Sequence, residues 1–182
     1  KKSLRVGRKT TKLSLFPPSA PMEFVAMYIL GPLTTTDRGN RFLLVVTDRF
    51  SKLTRAFPLS ITTADVVAHA CFDGWVASGY GIPSVLLTDN GPQFISKFFQ
   101  TFCRTLGVKQ SYTSAYLPLT NGQTERFNRT VAEYMGAYVS EHQHDWDVLA
   151  GVATYSYNVK PQSTTGFTPF ELVTALPQAS LL

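Results

Sequence analysis

The chain has 182 residues, 44% of them hydrophobic and 16% charged, a composition that fits one soluble globular domain with a sizeable core. Seventeen Lys and Arg against twelve Asp and Glu give a net charge of +5. This balance favours a polyanionic partner, although an ordinary basic protein carries the same charge.

Several protein classes are excluded. No apolar run approaches the roughly 20 residues that span a bilayer, so no membrane partner is expected, and the charged residues 1–12 are not a signal peptide. Cys71 and Cys103 are too few for a disulfide framework, and both are predicted to be reduced core residues of an intracellular protein. The histidines lack the cysteine spacing of a zinc site, and residues 142–144 are typical of a solvated helix end.

The chain begins with a linker and a cluster of strands. Residues 1–21 are basic and then rich in Pro and Ser, and their cations are either solvated or in contact with phosphates. The turn at 37–40 suits an antiparallel pair of strands. Strands are predicted over 24–30, 42–48, 53–59, 82–88 and 108–112.

Helical patterns alternate with the later strands. One helix is predicted to begin at Thr62 or Thr63 and to end at Gly79 or Gly81. A second is predicted from the four-residue recurrence of Phe94, Phe98, Phe102 and Leu106. Further helices are predicted over about 123–142, over 146–157 and from Pro169, capped by Thr168. This order predicts an α/β fold with a mixed five-stranded sheet and helices on both faces.

Two carboxylates stand out from this pattern. Asp89 follows the predicted strand 82–88, Glu125 lies on the predicted helix 123–142, and 35 residues (90–124) separate them. Carboxylates at such a strand end can hold two divalent ions, and oxygen ligands select Mg²⁺ or Mn²⁺. Taken alone, Asp89-Asn90-Gly91 is more typical of a turn, and Glu125 of a solvated helix charge.

Six ordered segments resemble the integrase catalytic core of gypsy-type LTR retrotransposons, within the retroviral integrase superfamily. The resemblance runs from about Met22 to Leu176. The segments are Gly31-Pro32-Leu33, Thr47-Asp48-Arg49-Phe50-Ser51-Lys52, Thr88-Asp89-Asn90-Gly91-Pro92-Gln93-Phe94, Thr113-Ser114-Ala115-Tyr116 with Asn121-Gly122-Gln123-Thr124-Glu125-Arg126-Phe127-Asn128-Arg129, Tyr157-Asn158, and Thr165-Gly166-Phe167-Thr168-Pro169-Phe170-Glu171-Leu172.

The resemblance implies a ribonuclease-H-like core over 22–176, with the start of a second linker at 177–182. It implies DNA strand transfer with Asp89 and Glu125 as catalytic metal ligands, Mg²⁺ or Mn²⁺ as cofactor, DNA and further copies of the chain as partners, and action in the nucleus. It also implies nucleic-acid contacts for Asn90, Gln93, Asn121, Gln123, Arg126, Asn128 and Arg129. Helical spacing places Arg129 beside Glu125, so it is either a salt-bridge partner of Glu125 or a phosphate contact.

The sequence departs from the family pattern at its first carboxylate. The resemblance aligns Tyr28 with the Asp that bridges both metals, and a neutral phenol cannot replace that ligand. Metal binding is therefore expected to be weak. Asp48 on the neighbouring strand is an alternative ligand. Because the site is built for a carboxylate, Tyr28→Asp is expected to restore it at little cost in stability. Leu117-Pro118-Leu119 is a second departure, since the family has polar residues there.

Three functions remain open at this point: an active strand-transfer integrase, a catalytically dead domain that retains DNA binding or self-association, and a stand-alone ribonuclease-H-type nuclease. The dead domain would come from a decayed or host-adopted element. The motif around Glu125 does not support the nuclease, and Tyr28 argues against the active enzyme.

Overall fold

The structure is a computed structural model of the protein, and it describes residues 17–112 and 144–175. The basic residues 1–12, the predicted helix over about 123–142 and the residues from 177 onward lie outside these ranges. None of the described helices is long and apolar enough to span a membrane.

Five strands form one mixed sheet in the order β3-β2-β1-β4-β5. Strands β1, β2 and β3 pair antiparallel, whereas β4 runs parallel to both β1 and β5. This confirms the predicted sheet, with shorter strands than expected at β4 and β5. The strands are β1 Phe24–Leu30, β2 Phe42–Asp48, β3 Thr54–Leu59, β4 Val85–Thr88 and β5 Lys109–Tyr112.

One face of the sheet is covered by helix α1, Ala64–Cys71, and by helices α2, Pro92–Ile95, and α3, Lys97–Thr105. Helix α1 has Thr63 as its N-cap residue and continues as a π-helix over Phe72–Tyr80. Its buried side chains include Val67, Cys71 and Trp75, which pack on apolar residues of β1, β2 and β4. Both cysteines are free and buried, as predicted.

The predicted single helix with a phenylalanine at every fourth position was wrong. Ser96 has an extended backbone, and its hydroxyl accepts a hydrogen bond from Phe99 N at 3.1 Å, so it ends α2 and caps α3. This interruption shifts the helical phase by one residue. Phe94 and Phe99 are consequently buried, while Phe98 remains 52% exposed.

The other face is covered by helix α4, Trp146–Asn158. Its Trp146, Ala150 and Ala153 pack against residues of β1, β2 and β3. Asn158, at its end, accepts a hydrogen bond from Thr54 N at 3.0 Å and donates one to Thr54 O at 2.7 Å. Both faces of the sheet therefore carry helices, as predicted.

The last helix, α5, covers Pro169–Thr174 and has the predicted start. Thr168 accepts a hydrogen bond from Glu171 N, and the Glu171 side chain accepts one from Thr168 N. This capping box satisfies two backbone donors at the beginning of the helix.

Candidate active site

The C-terminal ends of β1 and β4 lie side by side at one edge of the sheet because the two strands are parallel. The last pair in their register is Ala26 with Leu87. Tyr28 lies two residues beyond Ala26 in β1, and Asp89 lies two residues beyond Leu87, directly after β4 ends at Thr88. Ligands of open α/β sheets bind at this type of edge.

Asp89 is exposed directly after β4. Its Oδ1 accepts a hydrogen bond from Gly91 N at 2.7 Å, which confirms the local turn expected for Asp-Asn-Gly. Gly91 is in turn the N-cap residue of α2. The turn holds the carboxylate at the sheet edge in contact with solvent, so the turn and a role in cation binding are compatible.

The two neighbours predicted to contact nucleic acid lie beside Asp89. Asn90 is exposed in the same turn, and Gln93 is half-buried in α2. The Gln93 carbonyl accepts a hydrogen bond from the Ser96 hydroxyl at 2.9 Å. Asp89, Asn90 and Gln93 thus form one short segment at the edge of the sheet.

Tyr28 is a core residue, with 8% of its surface exposed. Its ring belongs to the apolar cluster between the sheet and α4, which also contains Val45, Trp146 and Ala150. Burial, and to a smaller extent the neighbouring Tyr157, raise the pKa of the Tyr28 hydroxyl above its ordinary value. The side chain is therefore neutral at any physiological pH.

This packing argues against the expectation that Tyr28→Asp costs little stability. The substitution would replace a buried ring by a short carboxylate and leave a cavity beneath α4. Tyr28 is therefore held in an apolar environment that does not suit a carboxylate.

Asp48, the alternative ligand considered from the sequence, is engaged in other hydrogen bonds. It pairs with Val25 at the beginning of β1, at the edge opposite Tyr28 and Asp89. Its Oδ1 accepts a hydrogen bond from Met22 N at 3.0 Å, and its Oδ2 accepts hydrogen bonds from the backbone N–H and hydroxyl of Ser51 at 2.8 and 2.6 Å. Asp48 is completely buried, and it stabilises the turn between β2 and β3.

The other candidate residues, namely Glu125, Asn121, Gln123, Arg126, Asn128 and Arg129, lie outside the described residues, as does Leu117-Pro118-Leu119. Their positions relative to Asp89 remain predictions. Within residues 17–112 and 144–175, no group of three or more His, Cys, Asp or Glu side chains could hold a metal ion. At the Asp89 edge, this part of the protein offers one carboxylate.

A hydrogen-bonded clamp that the sequence did not reveal joins the β1–β2 loop to the start of α4. Asp147 Oδ2 accepts hydrogen bonds from Thr36 Oγ1 at 2.8 Å and Asn40 Nδ2 at 2.6 Å. The Trp146 indole donates to Thr34 O at 2.7 Å. Burial raises the pKa of Asp147, but these hydrogen bonds and the charge of Arg38 outweigh it and lower the pKa. The clamp fixes the beginning of α4 against the β1–β2 loop.

Comparisons with known proteins agree with this architecture. The family described as "Integrase core domain" matches residues 27–118. The Gag-Pol polyprotein of feline leukemia virus is 37% identical over 140 residues, which are 76% of this chain and 8% of that polyprotein. The Pol polyprotein from transposon 412 of Drosophila melanogaster is 29% identical over 156 residues, 86% of this chain and 12% of the relative. The sequence thus spans only a small part of these relatives.

The fold is also shared with a solved structure. The catalytic core domain of HTLV-2 integrase in complex with magnesium (trimeric form) is similar with a TM-score of 0.70 at 22% identity. The similarity covers 85% of this chain and 98% of that one. It confirms the predicted ribonuclease-H-like fold.

Proposed function

Because this chain belongs to the integrase core domain family, we propose that it is the core of a gypsy-type LTR retrotransposon integrase that has lost strand-transfer activity. In this proposal Tyr28 occupies the position of the first catalytic Asp. Asp89 and Glu125 are the remaining carboxylates, and the domain extends over 22–176 between linkers at 1–21 and 177–182.

The proposal rests on the position of Tyr28. Tyr28 is a buried aromatic residue two positions beyond Ala26, the last residue of β1 that pairs with β4, and we propose that the two-metal mechanism needs a bridging carboxylate at this position. Two-metal phosphoryl transfer depends on both ions, since one activates the attacking oxygen and the other stabilises the leaving oxygen. Asp48, the alternative ligand considered from the sequence, is held at the opposite end of the strands by its own hydrogen bonds.

Metal binding is proposed to persist in weakened form. Asp89 and Glu125 would hold Mg²⁺ or Mn²⁺, the ions that prefer carboxylate and water ligands. The related HTLV-2 core is described in complex with magnesium, which supports the choice of ion. One bridging ligand fewer lowers the affinity, because Mg²⁺ demands near-ideal octahedral geometry.

DNA binding and self-association need no catalytic metal, so we propose that both are retained. The net charge of +5 supports sequence-tolerant contact with phosphates, to which Arg126 and Arg129 would contribute beside Asn90, Gln93, Asn121, Gln123 and Asn128. The trimeric form described for the HTLV-2 core supports association between copies. A domain that acts on chromosomal DNA would work in the nucleus.

Strand transfer by the unmodified protein, Tyr28→Asp and Tyr28→Asn tests the proposal. The Asn variant is the matched control, because it removes the ring in the same way without restoring a carboxylate. We expect no joining by the unmodified protein or the Asn variant, and partial recovery by the Asp variant at a temperature where it remains folded. Joining by the unmodified protein would contradict the proposed loss of activity.

Gel shifts over a salt series test DNA binding separately. Binding that weakens as salt rises, survives Asp89→Asn and decreases in Arg126→Glu is expected. If no binding occurs even at low salt, the domain is not a DNA-binding module.

A further inference from the structure

A groove is lined by residues of α3, of the turn after it and of β5, the strand on the side of β4 away from β1. Its volume is about 540 Å³. Buried Cys103 and Val108 line it together with the polar side chains of Arg104, Lys109 and Gln110. Among the described residues, β5 is the outermost strand on this side of the sheet.

The backbone of β5 presents hydrogen-bonding groups to this groove. Lys109 N donates to Ser84 O at 3.1 Å, so the backbone of Lys109 faces β4. Backbone groups alternate in direction along a strand, so those of Ser111 also face β4, whereas those of Gln110 and Tyr112 point outward. An exposed edge of this kind is a template for a further strand.

The positive charge of the groove indicates which kind of partner it can bind. Arg104 and Lys109 are both exposed, and no Asp or Glu lines the groove. Residues 1–12 carry six Lys and Arg and no acidic residue, so like-charge repulsion disfavours that segment as the occupant. An anionic partner is favoured instead.

The hydrogen-bonding groups distinguish a peptide from a nucleic acid. The Gln110 side chain donates through Nε2 to Phe94 O at 2.9 Å, and its Oε1 is buried, so this side chain is not available to a partner. The acceptor that Gln110 offers to a partner is its outward backbone carbonyl. A phosphodiester backbone offers acceptors but no donors, whereas an extended peptide supplies N–H groups at a regular spacing.

We propose that the edge of β5 is a docking site for an extended acidic peptide of a partner protein, which adds to the sheet as a sixth strand. Its backbone would pair with Gln110 and Tyr112, and its carboxylates would meet Arg104 and Lys109. In this mode of recognition the backbone hydrogen bonds supply affinity and the side chains supply specificity. The site is separate from the Asp89 edge and does not depend on catalytic activity.

The test uses a fluorescent short peptide in which Glu and Thr alternate, and the same peptide with Lys in place of Glu. Fluorescence anisotropy should show binding of the acidic peptide alone. Arg104→Glu with Lys109→Glu should weaken it by about tenfold or more, because two attractive charge pairs become repulsive. Both side chains are exposed, so circular dichroism should show an unchanged fold. Lys97→Glu is the matched control, since Lys97 is an exposed cation of α3 that does not line the groove.

A second pair of variants tests the strand pairing itself. Tyr112→Pro removes an outward N–H and leaves the ladder to β4 intact, while Tyr112→Ala removes the ring alone. The Pro variant should bind the acidic peptide more weakly than the Ala variant, and added peptide should slow amide exchange of Gln110. Two results would overturn the proposal: peptide binding that neither charge reversal nor Tyr112→Pro changes, or a single-stranded oligonucleotide that binds through Arg104 and Lys109 when the acidic peptide does not.

Discussion

The substitution Tyr28→Asp should be strongly destabilising, even though it would introduce a carboxylate where we propose that the first catalytic Asp belongs. Tyr28 is 8% exposed and packs against Val45, Trp146 and Ala150. Removing a buried ring of this size costs about 3–5 kcal/mol, because the cavity relaxes only partially. The new carboxylate loses further solvation if it remains under α4.

The expected loss is large relative to the stability of the whole domain. The free energy of unfolding of domains of this size is about 5–15 kcal/mol, so the variant should be only marginally folded at 37 °C. Recovery of activity in Tyr28→Asp is therefore limited by folding as well as by the ligand set. A single reversion does not simply reopen the site.

Urea denaturation followed by fluorescence measures this effect. Tyr28→Phe is the matched control, since it keeps the ring and should lose no more than about 1.5 kcal/mol, the usual net contribution of one hydrogen bond. Tyr28→Asn should lose about as much as Tyr28→Asp. A loss below about 1 kcal/mol for Tyr28→Asp would refute the reasoning, because the ring would then contribute little to the core.

Three further predictions concern metal binding, packing and pH. Calorimetric titration with Mn²⁺ should show weaker binding to the unmodified protein than to folded Tyr28→Asp, and equal affinities would mean that another group supplies the missing ligand. Gly74→Ala should destabilise the domain by about 1–3 kcal/mol, because the added Cβ would overlap the Phe57 ring. Gly151→Ala, in open space on α4, should instead stabilise it by up to about 1 kcal/mol. Similar urea midpoints for the two variants would contradict this packing. The folded-state pKa of Asp147 is lowered, so its contribution to stability is present above the unfolded-state pKa of about 3.9 and is lost as pH falls through the folded-state pKa. Asp147→Asn should therefore make the free energy of unfolding less sensitive to acid, which urea denaturation at several pH values measures.

The sheet and its helices followed from local patterns in the sequence. Alternating and continuous apolar runs predicted the bounds of β1, β2 and β3 closely, because each strand is bounded by turn residues. The start of α5 was readable from Thr168 and Pro169, since capping depends on adjacent residues. Local chemistry determined these features, so the sequence alone was sufficient for them.

The features that the sequence did not predict depend on contacts between distant residues. The buried face of α3 could not be read from spacing alone, because Ser96 interrupts the helix and changes its phase. The roles of Asp48 and Asp147 were hidden for a similar reason, since their hydrogen-bond partners are brought together by the fold. The family pattern singled out Tyr28 in the sequence, whereas the packing of its ring under α4 required the structure.

The most direct test of the proposed loss of catalysis is a disintegration assay on the unmodified protein with Mn²⁺, because this reversal of strand transfer requires only the core domain. We predict no turnover above that of Glu125→Gln, since we propose that Tyr28 stands where the bridging metal ligand is needed. Turnover by the unmodified protein that disappears in Glu125→Gln would contradict this prediction and show a working enzyme with an unusual first ligand.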